Sequence, residues 1–254
     1  MTTIEYPWRE RAGRALAGLA LAAGMAGCAV TQQVKVEKPQ AYCAFLGGDL
    51  CAQLTPTDVP GRFSGAAVTS GGTPQAGLRY INPNAQWPRY KKVLIAPVIF
   101  WAGENTTVSA ADRHALTRYF SKALYDALST KFQVVAEPGA GVMEIQVALN
   151  DAESATPVLR TISMIVPQAR ALATLKYVAT GTYAFVGGAQ AEVKVSDSVT
   201  GQVLAAAVDR RVGGGSIATA AQWKWGDAEN AINAWAQQTT ARLSSWTSGA
   251  AKPQ

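Results

Sequence analysis

The chain has 254 residues, 48% hydrophobic and 16% charged, a balance that buries a sizeable core and excludes a disordered chain. Its 23 Lys and Arg against 17 Asp and Glu give a formal charge of +6. The surplus is scattered, without the Lys/Arg cluster of a nucleic-acid surface, so no nucleic-acid partner is expected.

The amino terminus reads as an export signal. Arg9, Arg11 and Arg14 precede an uncharged run from Ala15 through Val30. That run is shorter than the about 20 apolar residues a spanning helix needs, and no basic stop-transfer cluster follows it. Gly13, Gly18, Gly24 and Gly27 would each weaken a core helix by about 1 kcal/mol relative to Ala. Met25-Ala26-Gly27-Cys28 resembles the bacterial lipobox, with Met25 where the pattern usually has Leu. The resemblance implies removal of residues 1–27 and two or three acyl chains on Cys28, which at about 0.8 kcal/mol per buried methylene anchor stably. Ala29 replaces the Asp that favours inner-membrane retention in enteric bacteria, which points to the outer membrane. Ordinary secretion and a retained anchor are the alternatives.

Residues 28–41 are polar without a period and read as a flexible tether. Residues 42–90 are rich in Gly, Pro, Thr and Ser, too long for an ordinary loop. They are expected as an extended arm pinned by Phe45, Leu46, Phe63, Leu78, Tyr80 and Trp87. With Cys28 assigned to lipid, Cys43 and Cys51 remain as a close pair in an exported protein. Gly47 and Gly48 between them let the loop close into a disulfide; two buried free thiols are the alternative. A zinc site lacks ligands, since no histidine lies near.

The body is expected over residues 91–248. Lys91 to Trp101 is a near-continuous apolar run, as a strand buried on both faces requires, with Pro97 marking a bulge or the end of pairing. Ser109 and Asp112 read as an N-cap and an acid at the third helical position. Leu116, Phe120, Leu124 and Leu128 then recur every four residues, giving an amphipathic helix over 110–130. Phe132 to Val135 reads as a short strand. Met143, Ile145, Val147 and Leu149 alternate with polar or small residues as a half-buried strand does. Residues 155–188 are apolar but interrupted by Pro157, Pro167 and glycines; they are core or an exposed contact patch. Strands around 191–195 and 203–211 flank the turn Asp197-Ser-Val-Thr-Gly201 as a hairpin. A last helix over 227–245 carries Ala228, Ile232, Trp235, Thr239 and Leu243 on one stripe, and a disordered tail follows over 249–254. The order gives an α+β (or α/β) class: a mixed sheet with two main amphipathic helices on one face, preceded by an extended arm.

Catalytic signatures are sparse. His114 is the single histidine, mid-helix and without a nucleophile placed beside it, so it reads as an exposed helical residue. No HExxH, G-x-S-x-G or P-loop occurs. Gly213-Gly-Gly-Ser216 lacks the P-loop Lys and reads as a flexible exit from the hairpin or a backbone anion nest. Trp223 and Trp225 flank Lys224 and either stack on a ligand or partner or pack in the core. Arg210 and Arg211 beside Asp209 either bind an acidic group or form ion pairs. These four, Trp223, Trp225, Arg210 and Arg211, are the candidate contacts; no enzyme, cofactor or metal is expected.

Phe45-Leu46, Leu78 to Pro83, Tyr90 to Pro97, Asp197 to Gly201, Asp209 to Arg211 and Trp225 to Asp227 together resemble a Gram-negative lipoprotein family known as a domain of unknown function. The ordered set spans about residues 42–246. The strand–helix–strand start with a later hairpin also resembles periplasmic lipoproteins with an anticodon-binding-like fold, a likeness of architecture only. The expected role is a non-catalytic outer-membrane lipoprotein with a periplasmic domain, working through an envelope protein partner or homo-oligomer in envelope assembly or maintenance. The alternative is a ligand-binding module for a glycan or lipid, and a hydrolase ranks third.

Overall fold

The computed structural model describes residues 31–36, 38–57, 76–101, 106–153, 187–213 and 224–253. In chain order the elements are β1 (Thr31–Val34), α1 (Pro39–Leu46), α2 (Gly48–Ala52), β2 (Thr55–Pro56), β3 (Leu78–Ile81), β4 (Lys92–Ile95) and β5 (Ile99–Phe100). There follow α3 (Ala110–Leu128), β6 (Gln133–Val135), β7 (Val142–Glu153), β8 (Gly188–Asp197), β9 (Val203–Gly213) and α4 (Gly226–Thr247).

The strands form one mixed sheet in the order β2-β3-β9-β8-β7-β4-β6. The long antiparallel strands β7, β8 and β9 are its centre, and each edge of this centre is met by two short strands laid end to end. On β9, β3 covers Ala205 to Val208 and β1 covers Arg210 to Gly213. On β7, β4 pairs parallel up to Ile145 and β5 resumes at Ala148. The break between β4 and β5 contains Pro97, which cannot donate to the ladder.

The helices α3 and α4 cover one face, as the two amphipathic patterns predict. Leu116, Phe120, Leu124 and Leu128 of α3 are buried against Val93, Met143, Ile145, Val147 and Leu149 of the sheet. A fully buried Leu or Phe contributes about 1.5–3 kcal/mol, so this stripe drives the docking. Ser109 caps α3 as expected, its Oγ accepting from the Asp112 backbone N–H at 3.1 Å. The two helices run in the same direction. Lys224 Nζ donates to Asp112 Oδ2 at 2.8 Å near their starts, and the Phe120 and Trp235 rings stack 5.9 Å apart further along.

Among the described residues, 31–36 and 38–57 differ from the tether and arm the sequence suggests. Thr31–Val34 is a strand within the sheet, not part of a free tether. Pro39–Leu46 and Gly48–Ala52 are short helices on the opposite face, where Leu46 and Leu50 pack on Ala206 and Val208. Proline at the first turn and Gly47 with φ of +89° between the helices explain how a Gly- and Pro-bearing stretch still forms them. Cys43 and Cys51 are joined as a disulfide, Cα to Cα 5.2 Å, which ties α1 to α2. At the other terminus Gly249, with φ of +74°, ends α4, and the Ala251 N–H donates to the Ser245 carbonyl at 3.3 Å. Part of the expected tail is thus folded back on the helix. No helix among the described residues is long and apolar enough to cross a membrane.

Candidate functional site

Strand β9 alternates its side chains between two layers. Ala206 and Val208 face α1 and α2, while Ala205, Ala207, Asp209 and Arg211 face α4. Its neighbour β8 places Ala191 on the helix side of the same region. Alanines here leave the space that a Val or Leu would fill. The result is a half-open, largely apolar cavity of about 90 Å³ between the sheet and the two helices. Phe120 and Leu124 from α3, Val147 from β7, and Trp235, Leu243 and Trp246 from α4 form its buried walls. Arg79 and Ile81 from β3 and Gln238, Thr239 and Arg242 from α4 are only half buried, and mark its open side.

Charged groups of both signs gather around the cavity. Asp209 is buried and accepts from four donors: Gln33 Nε2 at 2.6 Å, the Gly77 N–H at 3.1 Å, Arg211 Nε at 3.0 Å and Trp235 Nε1 at 2.8 Å. Burial pushes its carboxyl above the usual range, against Arg211, Trp235 and Gln33, which pull it down. Arg211 is equally buried and also donates to Thr31 Oγ1 and Gln238 Oε1. Arg242 is shifted down from its ordinary value by burial first and then by the Arg79 guanidinium, with Asp209 opposing. Arg79 and Arg242 thus stand close enough to repel each other at the open side of an apolar space, which Glu192 also lines.

Three other carboxylates are buried among the described residues: Glu192, which lines the cavity and accepts from Asn150 Nδ2, and Asp197 and Asp227, which serve the fold. Asp197 accepts from the Val199 and Thr200 N–H groups, Thr200 Oγ1, the Tyr90 hydroxyl and Arg89. It thereby closes the predicted hairpin turn and ties it to the start of β4; Gly201, with φ of +72°, completes the turn. Asp227 accepts from the Gly187 N–H at 2.8 Å and fixes the start of α4 against the sheet.

The candidate contacts fare differently. Trp225 is 4% exposed and belongs to the core, so it does not offer a surface for ligand or partner. Arg211 is an internal ion pair rather than an open anion site, because Asp209 neutralises it inside the protein. Arg210 is half buried and alternates to the opposite face of the sheet. His114 is exposed on α3 as expected. Cys28, Trp223, Gly214 to Ser216 and residues 154–186 lie outside the described residues. Arg79, Gln238 and Arg242 were not singled out from the sequence. The readable signal was the run Ala205-Ala206-Ala207 in a strand beneath a large helix stripe.

No curated protein matches the chain. Solved structures similar to it include a PelC dodecamer from Paraburkholderia phytofirmans, 12% identical with a TM-score of 0.37, covering 65% of this chain and 95% of that one. A second PelC dodecamer from the same organism is 10% identical with a TM-score of 0.33, covering 63% and 95%. Protein XCC0632 from Xanthomonas campestris, described under family-model DUF330, is 12% identical with a TM-score of 0.37, covering 67% and 95%. Residues 58–239 match the family described as "Protein of unknown function (DUF3313)", and the chain belongs to that family.

Proposed function

We propose that the protein is a non-catalytic lipoprotein of the outer membrane whose periplasmic domain binds a single-chain anionic amphiphile in the helix–sheet cavity. The anchor rests on the basic flank, the short apolar run and Met25-Ala26-Gly27-Cys28. Globomycin should make an unprocessed form accumulate, and Cys28→Ser should abolish acyl labelling; a mature protein without lipid on Cys28 contradicts the anchor.

The cavity with Arg79 and Arg242 at its open side is the observation that carries the binding role. At about 90 Å³ it is smaller than the roughly 150 Å³ apolar cavity that holds benzene. That space suits the end of an alkyl chain. A sugar ring would bring hydroxyls to apolar walls at about 1–3 kcal/mol each where unpaired, which turns the reading from glycan to lipid. A head-group anion would sit between the two arginines and relieve their mutual repulsion. Contacts with an envelope protein or further copies of the chain are the second reading, favoured by Tyr125, 55% exposed on α3; crosslinking from that position in intact cells tests it.

Calorimetric titration with dodecanoate, dodecyltrimethylammonium and dodecyl maltoside, each below micelle formation, tests the binding role. Dodecanoate should saturate one site, with the other two at least tenfold weaker. Arg79→Gln with Arg242→Gln should erase that preference, and Leu243→Trp should block binding. Equal affinity for all three chains, or no saturable binding, contradicts the reading.

A further inference from the structure

We infer that one end of the domain is held against the bilayer surface: the end carrying Thr31, Gly188, Gly213 and the starts of α3 and α4. This rests on the proposed lipid at Cys28. Three peptide steps separate Cys28 from Thr31, a reach of about 11 Å at full extension. A free tether over residues 28–41 would reach about 50 Å and leave the orientation open. Strand β1 removes that freedom. Thr31 is opposite Gly213, its Oγ1 accepts from Arg211 Nη1 at 3.1 Å, and two residues on Gln33 donates to buried Asp209.

The rest of the end follows from register. Glu153, Gly188 and Val212 lie level across β7, β8 and β9, next to Thr31 and Gly213. The helix starts meet there through Lys224 and Asp112. Trp101, 39% exposed and following β5 toward the same end, has the amphipathic ring that settles at the level of head groups.

Two consequences set the geometry. The Asp197–Gly201 turn lies at the opposite end of β9, about 33 Å away over ten residue steps. Arg242 stands 16 residues along α4 from Gly226, about 24 Å from the bilayer end. The cavity therefore opens to the aqueous side, and a ligand enters it from solution or a carrier rather than sideways from the bilayer.

The test uses the acylated mature protein in vesicles of phosphatidylethanolamine and phosphatidylglycerol that contain a head-group spin-labelled lipid. A fluorophore is placed at Ala111→Cys, an exposed site in the first turn of α3, or at Val199→Cys in the far turn. Quenching several-fold stronger at residue 111 than at residue 199 is the expected result. Equal or reversed quenching, with the acyl chains confirmed by mass of the N-terminal peptide, overturns the orientation alone. A mature N-terminus without acyl chains overturns the anchor and the orientation together.

Discussion

Asp209→Asn removes the carboxylate that pairs with Arg211 and acts on Arg242, and leaves the shape of the site almost unchanged. Both members of the Asp209–Arg211 pair have side chains only 7% exposed, so water cannot replace the lost partner. Removing one partner of a buried pair costs about 3–5 kcal/mol, because the remaining charge stays desolvated. Against the about 5–15 kcal/mol that holds a typical domain together, the variant becomes marginal. With a urea slope of about 2–3 kcal/mol/M, the midpoint should fall by about 1–2 M at unchanged slope. The double variant Asp209→Asn with Arg211→Met has no stranded charge at this pair and should be more stable than Asp209→Asn alone. Arg211→Met by itself takes away the strongest downward pull on the Asp209 carboxyl. Its folded-state value then rises further above the unfolded one, so the contribution of this group is greatest below about pH 4 and is lost as pH rises. Asp209→Asn should also tighten dodecanoate binding, since the cluster gains one net positive charge. A midpoint shift below about 0.4 M, or a double variant no better than the single, refutes the reasoning.

The Tyr90–Asp197 pair sets stability limits at both ends of the pH scale. Burial and the Asp197 bond push the Tyr90 hydroxyl up from 10.0 to about 12. Its contribution is complete below pH 10 and lost as pH rises through about 12, which phenolate absorbance and thermal melts should show together. Asp197 is buried, which raises its carboxyl, but donors from Thr200, Tyr90 and Val199 outweigh this and lower it. That contribution is present above the unfolded value near 3.8 and lost on further acidification; Asp197→Asn should remove this acid dependence and only weaken the alkaline one, which burial of Tyr90 chiefly sets. Gly213→Ala places a methyl on the Asp227 carboxylate and should lower the melting temperature, whereas Gly201→Ala meets no neighbour and strains only its φ of +72°. Reducing the Cys43–Cys51 bond opens a short loop and should cost about 2.5 kcal/mol at most, read as a small drop in the urea midpoint.

How much of this was legible in the sequence follows the range of the signal. The i, i+4 stripe from Leu116 to Leu128, the alternation from Met143 to Leu149 and the Asp197-to-Gly201 turn are local patterns, and α3, β7 and the hairpin follow them. Strand β1 and helices α1 and α2 were not legible, because their formation depends on partners far along the chain: Thr31 on Gly213, Leu46 and Leu50 on Ala206 and Val208. Beside Lys224, Trp225 could stack on a ligand or pack in the core; how α4 meets the sheet decides for burial. The cavity is missing volume among six elements, and no single stretch encodes it. The alanines of β9 hint at space without saying what stands opposite.

The occupancy of that space is the central claim. Methyl-labelled mature protein mixed with dodecanoate should show nuclear Overhauser contacts from the terminal methyl of the chain to Leu124, Val147 and Leu243. Contacts instead to Leu46 and Leu50 on the opposite face, or none under saturating ligand, would contradict the account.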